Sequence, residues 1–124
     1  MNRRITAIIP GYAGKLQLRN CIEVTGHDDC LPFNADIYLN DKPAGKAYND
    51  GWGAEANYFI PDKEMRKEIE ELETTLRRTP FLTNFKDSFY SLPKVLDMMA
   101  EACICHNRRE VTVKPVKFRI PKSY

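Results

Sequence analysis

The spacing of apolar residues changes once along the chain, near residue 62. Before this point apolar and polar residues alternate, and beyond it apolar residues recur every three or four positions. A period of two predicts half-buried strands, and a period of three to four predicts amphipathic helices. Strands followed by helices predict an α+β fold, with the helices on one face of the sheet.

Residues 1–61 are predicted to form an N-terminal antiparallel sheet of about four or five strands. In the segment KLQLRNCIEV, alternation predicts one common face for Leu16, Leu18, Asn20 and Ile22. The segment NDKPAG, residues 40–45, is predicted as a turn, since Asn, Asp, Pro and Gly each favour turn geometry.

Two C-terminal helices are predicted to pack against this sheet. Asp62 is a suitable N-cap for the first, whose apolar stripe reaches Leu76. Ser91 is a suitable N-cap for the second, which is predicted to end near residues 106–107. An aromatic-rich connector, residues 79–90, joins them, and Val111 with Val113 predicts a strand that returns to an edge of the sheet.

The segment YNDGWGAE, residues 48–55, is predicted to be a tight hairpin with Gly51 at positive φ. Turn geometry explains Asn49 and Gly51 but does not explain Trp52, the only tryptophan of the chain. Trp52 either folds back onto the core or forms a contact with a ligand or partner. Tyr48, Asn49 and Trp52 are therefore candidate ligand-binding residues.

Composition indicates a soluble, single-domain protein spanning residues 1–124, with 43% hydrophobic and 29% charged residues. The absence of a long apolar run and of a signal peptide predicts a cytoplasmic protein without membrane contact. The net charge of +2 is unevenly distributed, with −4 in residues 1–74 and +6 in residues 75–124. A basic C-terminal half favours phosphate-bearing partners, although a solvated surface explains it equally well.

Motifs for catalysis and for metal binding are missing. There is no GxxxxGK[ST] loop, GxSxG elbow or HExxH pair, so we expect no enzymatic activity. The cysteines at 103 and 105 have CxC spacing, with a histidine at 106, and the others lie at 21 and 30. This is a poor zinc cage, and we predict neither a metal nor a cofactor.

Arginines and aromatic residues are the better candidates for binding. Arg77 and Arg78 end the first helix, and Arg108 and Arg109 follow the second. Each pair also has a structural explanation, because basic residues stabilise helix C-termini. As ligand-binding groups, the arginines would pair with phosphate, and aromatic side chains, Phe81 among them, would stack on a base.

The arrangement of strands, two C-terminal helices, arginines and an aromatic connector in about 120 residues resembles one family of small phage proteins. These proteins sequester cyclic ADP-ribose signals and so blunt the bacterial Thoeris defence. The resemblance implies an oligomer that binds a nucleotide at subunit boundaries. It further implies the candidate residues Phe81, Asn84, Asn107 and Arg109.

We therefore expect a non-enzymatic, homo-oligomeric sponge for a phosphate-bearing nucleotide signal, acting in the host cytoplasm if it is phage-encoded. The oligomer is expected because six Phe, six Tyr and one Trp exceed what a small core can bury. One alternative is a small protein–protein inhibitor or adaptor of viral type, with a host protein as its partner. A further alternative is a nucleic-acid binder acting through the basic C-terminal half, which the low overall charge disfavours.

Overall fold

The computed structural model describes residues 3–80 and 89–114, which form one six-stranded sheet and two α-helices. The elements are β1 Arg4–Ile8, β2 Leu16–Glu23, β3 Phe33–Leu39, β4 Lys42–Asn49, β5 Asn57–Phe59, α1 Lys63–Arg77, α2 Leu92–Ile104 and β6 Glu110–Thr112. The strand order is β5-β4-β3-β2-β1-β6, and every pair is antiparallel except the parallel pair β1–β6. The α+β class is confirmed. The predicted C-terminal strand returns to an edge of the sheet, where it forms β6 beside β1, and only its parallel orientation was not predicted.

The core lies between one face of the sheet and the two helices. Its largest fully buried side chains come from the strands and from both helices, and include Phe33, Ile5, Leu16, Leu18, Ile37, Leu39, Leu72, Leu76, Leu92, Leu96 and Met99. Helix α2 packs against β1, β2 and β6. The opposite face of the sheet, here called the outer face, carries the alternate residues of each strand.

The pattern of β2 departs from the predicted alternation at Asn20. This residue has a φ of 55°, and the β2–β3 register shifts between Arg19 and Ile22. Asparagine tolerates this left-handed conformation, and the resulting bulge reverses the alternation. Cys21 is consequently buried in the core and Ile22 is exposed, so the prediction that Ile22 shares a face with Leu18 is wrong.

The turn between β3 and β4 is shorter than predicted. Asn40 and Asp41 both have positive φ, 53° and 66°, and they alone connect the two strands. This is the geometry of a two-residue hairpin turn. Pro43 and Gly45 belong to β4, and the irregular register between Ile37 and Tyr38 accommodates them there.

The predicted N-caps of both helices and the predicted end of α1 are confirmed, whereas α2 ends at Ile104, before the predicted end near residues 106–107. Asp62 caps α1 by accepting a hydrogen bond from the Glu64 amide, and Ser91 caps α2 by accepting one from the Lys94 amide. A tyrosine fastens α1 to the sheet, since the Tyr58 hydroxyl donates a 2.6 Å hydrogen bond to Glu73 Oε1.

We expect Tyr58→Phe to lower the free energy of unfolding by about 1 kcal/mol at neutral pH, because this hydrogen bond is lost. Burial, and then the hydrogen bond to Glu73, raise the pKa of Tyr58 from 10.0 to about 12. A raised tyrosine pKa stabilises the fold below pH 10.0, and this contribution disappears as the pH rises through about 12.

Urea unfolding of both proteins at neutral and alkaline pH measures this effect. The stability difference between wild type and Tyr58→Phe should shrink as the pH rises. A difference that stays constant with pH would contradict the assignment.

Candidate functional site

Several loops and strand ends meet at one end of the sheet. Because each neighbouring pair of strands from β1 to β5 is antiparallel, the start of β1 lies at the same end as the segments 24–32 and 50–56. The start of β6 lies there too, since β6 runs parallel to β1. This end collects most of the polar and charged candidates.

A cleft of about 580 Å³ opens at this end, beside β1 and the C-terminus of α2. Its described lining residues are Arg3, Arg4, Thr6, Cys103, Asn107, Arg108 and Arg109. Four of the seven are arginines, and none is acidic. We call this feature the arginine cleft; its volume is in the range of small-molecule binding sites.

Backbone hydrogen bonds hold the two arginine pairs next to each other. The Thr6 amide donates to the Arg109 carbonyl at 2.9 Å, which ties β1 to the start of β6. The Arg108 amide donates to the Ala102 carbonyl at 2.9 Å, and Asn107 adopts a φ of 51°. This left-handed residue lies just beyond the end of α2, where the chain turns towards β1. These hydrogen bonds thus place the segment between α2 and β6, with Arg108 and Arg109, beside the start of β1.

The positive charge of the arginine cleft is not neutralised within the described chain. In residues 3–80 and 89–114 no carboxylate forms an ion pair with any of the four guanidinium groups. Arg3 Nη1 reaches the Ile104 carbonyl at 3.5 Å, at the negative end of the α2 dipole. The uncompensated charges favour an anion with more than one negative charge.

A buried thiol pair lies behind this cleft. Cys103 is buried and lines the cleft, and Cys21 is buried in β2. Burial, followed by the neighbouring Cys103, raises the pKa of Cys21 to about 12, so Cys21 is a neutral thiol at physiological pH. It therefore has little nucleophilic or metal-binding character.

The structure separates Arg77 and Arg78 from the cleft. Arg77 and Arg78 lie where α1 ends, next to the start of α2, because the Tyr90 amide donates to the Thr79 carbonyl. The 13 residues of α2 place this point roughly 20 Å from the cleft at a rise of 1.5 Å per residue. Arg77 instead pairs with Glu73 on its own helix.

The described aromatic candidates, Tyr48 and Trp52, are also outside the cleft, since none of its described lining residues is aromatic. Tyr48 lies on the outer face of β4, three strands from β1, or roughly 14 Å at normal strand spacing. Phe81 and Asn84 fall outside the described residues. Of the predicted ligand-binding residues, Asn107, Arg108 and Arg109 line the cleft. Arg3 and Arg4 also line it but were not predicted.

Sequence reasoning missed Arg3 and Arg4. The pair is visible as a basic start to the chain, but no local pattern indicates which helix end lies beside it. Their position beside Arg108 and Arg109 follows from the parallel pairing of β1 with β6.

Asn49 is buried, and its position gives it a structural role. Its amide group forms hydrogen bonds with Ala54 O, Asp97 Oδ1, Gly51 N and Cys30 Sγ. Asp97 of α2 also accepts a 2.9 Å hydrogen bond from the Ala56 amide. Burial raises the pKa of Asp97 above its usual value, although these hydrogen bonds oppose the shift. Asn49 and Asp97 thus anchor the segment 50–56 to the helix.

The segment 50–56 is a longer loop than the tight hairpin predicted from YNDGWGAE. It joins β4 to β5, and Gly51 has the predicted positive φ, 87°. The Gly51 carbonyl accepts hydrogen bonds from the amides of Asp29 and Cys30. The hairpin is therefore extended because its loop pairs with the neighbouring loop, residues 24–32.

Trp52 is 65% exposed and does not fold back onto the core. Its ring stacks on His27 with 3.9 Å between ring centroids and an interplanar angle of 12°. One face of the indole is covered and the other is available for contact.

We expect Trp52→Ala to lower the free energy of unfolding by only about 1 kcal/mol, the scale of one aromatic pair. A core tryptophan would cost about 3–5 kcal/mol. Chemical denaturation distinguishes the two cases. A loss in the core range would show that the indole is buried in solution.

The described histidine and cysteine residues do not assemble into a zinc cage. One group of three, His27, Asp28 and Asp29, brings potential ligand atoms within 4.8 Å of one another. His27 Nδ1 lies 3.1 Å from Asp29 Oδ2, but it has no hydrogen-bond partner among the described residues. Both aspartates are exposed, and such groups are common without a metal, so the prediction that the protein needs no metal remains open to test.

Comparisons with known proteins do not assign a family. No protein-family model matches the chain, and no match was found among curated proteins or solved structures. Neither helix in residues 3–80 and 89–114 has the length and apolar character needed to cross a bilayer. The chemistry of the site is therefore inferred from its own residues.

Proposed function

We propose that this protein is a non-enzymatic binding protein that sequesters a phosphate-bearing nucleotide in the arginine cleft. The observation that carries the proposal is the set of four arginines without an ion-pair partner among the described residues. Guanidinium groups pair with phosphate oxygens through two parallel hydrogen bonds, and their weak hydration makes them suited to desolvated sites.

The groups at the cleft support binding rather than catalysis. The described lining offers guanidinium, amide, hydroxyl and thiol groups but no carboxylate or imidazole to serve as a general base. Asn107 supplies a donor and an acceptor for a base or ribose, and Thr6 supplies a hydroxyl. Binding without bond cleavage is the function of a sponge, acting in the cytoplasm as a homo-oligomer.

The test is to incubate the purified protein with a nucleotide-containing cell extract, wash it and release bound molecules by heat. Mass spectrometry should detect a phosphate-bearing nucleotide with wild type and lose it with Arg4→Ala/Arg109→Ala. Release of the same nucleotide from both proteins, or of none from wild type, would overturn the proposal.

Nucleic-acid binding is the second candidate, because the same four arginines suit a phosphate backbone. The two candidate functions predict different dependences of binding affinity on the length of the oligonucleotide. A single-stranded oligonucleotide should bind no more tightly than a mononucleotide if the cleft takes one small ligand, whereas a nucleic-acid binder gains affinity with length. A protein partner for exposed Trp52 is the remaining alternative.

A further inference from the structure

The outer face of the sheet carries four of the six large hydrophobic side chains that are strongly exposed in the described residues. These four are Ile8, Ile22, Tyr48 and Phe59, with exposures of 44%, 55%, 46% and 64%. Cross-strand register places the last three close together, since Ile22 is opposite Asn34, Asn34 is opposite Tyr48, and Lys46 is opposite Phe59. Apolar surface concentrated on one face is typical of an interaction site.

Two hollows flank a charged pair at the centre of this face. One hollow, about 520 Å³, is lined by Phe59 and Tyr38, and the other, about 360 Å³, is lined by Tyr48 and by the bulged part of β2. Asp36 and Lys46 line both hollows. The face therefore has projecting aromatic side chains next to cavities that can receive them.

Asp36 and Lys46 are opposite each other in the β3–β4 register, yet they do not form an ion pair. Asp36 accepts one hydrogen bond, from Asn20 Nδ2 at 2.8 Å, and Lys46 has no ion-pair partner within the described part of the chain. A positive and a negative group side by side on one patch are self-complementary under a two-fold axis. Rotation about a two-fold axis through this patch would place Lys46 of each copy on Asp36 of the other.

We propose that the outer face is the interface of a two-fold symmetric homodimer, in which Asp36 and Lys46 form two reciprocal ion pairs and Phe59 and Tyr48 fill the hollows of the opposite copy. A two-fold interface requires one patch that complements itself, and this patch has both the charges and the shape. This proposal specifies the interface of the homo-oligomer that is part of the proposed function. It does not depend on what the arginine cleft binds.

A charge-exchange experiment tests it. Asp36→Lys leaves two positive groups on the patch, and Lys46→Asp leaves two negative groups, so each variant alone repels its own copy. Sedimentation velocity should show that each has a dimer dissociation constant raised about tenfold or more, a change of about 1.4 kcal/mol. An equimolar mixture should recover dimers, because opposite charges then meet across the interface.

Circular dichroism melting of each variant shows whether it is folded. Phe59→Lys should also weaken the dimer, whereas Trp52→Lys, which removes an equally exposed aromatic elsewhere, should not. A wild-type monomer, or a mixture of folded charge variants that stays monomeric, would overturn the interface. Nucleotide capture by a monomeric wild type would leave the proposed binding function intact.

Discussion

Gly51→Val is expected to destabilise the protein by about 3 kcal/mol or more, and it should have the largest effect on stability of any single change in the loops. A β-carbon at Gly51 would collide with the backbone of His27, including its carbonyl oxygen. The φ of 87° adds the strain of a β-branched residue in a left-handed conformation. The collision and the backbone strain both occur where the segments 24–32 and 50–56 are hydrogen-bonded to each other. Neither loop can therefore move away alone to relieve them.

Gly53→Ala is the matched control. Gly53 has a similar φ of 93°, but among the described residues a β-carbon there would meet only Asp29 Cβ, at an ordinary contact distance of 3.6 Å. We expect a loss of about 1–2 kcal/mol from backbone strain alone. Urea denaturation of the two variants separates the effect of the collision from that of backbone strain. Equal losses in free energy of unfolding would show that Gly51 and the His27 backbone are farther apart in solution.

The double variant Arg4→Ala/Arg109→Ala is expected to lower affinity for pyrophosphate or ADP at least about a hundredfold. Each charged hydrogen-bonding group contributes about 1.5–3 kcal/mol. The two arginines reach the cleft from different segments, Arg4 from β1 and Arg109 from the residues just before β6. Isothermal titration calorimetry measures the effect. Wild-type affinity should also fall as salt is added, because the interaction is charge-driven.

Arg66→Ala removes the same charge from α1, where the guanidinium donates a hydrogen bond to the Pro61 carbonyl, and it should leave affinity unchanged. Single variants at positions 3, 4, 108 and 109 then rank the contributions. Equal affinity in wild type and the double variant would remove the arginine cleft as the binding site.

Local sequence patterns predicted the helices well and the strands less well. The caps at Asp62 and Ser91 depend on nearest neighbours, so their residue types are sufficient to place them. The bulge at Asn20 depends on the register with β3, which only the packed sheet determines. An alternating pattern cannot reveal that one residue is extra, and the burial of Cys21 in place of Ile22 follows from it.

Only one of the two arginine pairs of the candidate site was predicted from the sequence. The basic run that follows α2 was identified because Asn107, Arg108 and Arg109 are adjacent in the sequence. Arg4 was not connected with them, since the contact between β1 and β6 joins residues about a hundred positions apart. Stacking candidates such as Trp52 were assigned by residue type, and residue type carries no information about which cleft a side chain faces.

The pairing of β1 with β6 also has a consequence for the order of folding. Closing a contact between the start of the chain and residue 110 has a high entropic cost, so this edge is expected to form after the local hairpins. The amides of Thr6 and Val113, which bond Arg109 and Ile8 across that edge, should then exchange with solvent sooner than the central strands. An anion held by both arginine pairs would bind only the closed edge, and its arrival should slow the exchange of these two amides first.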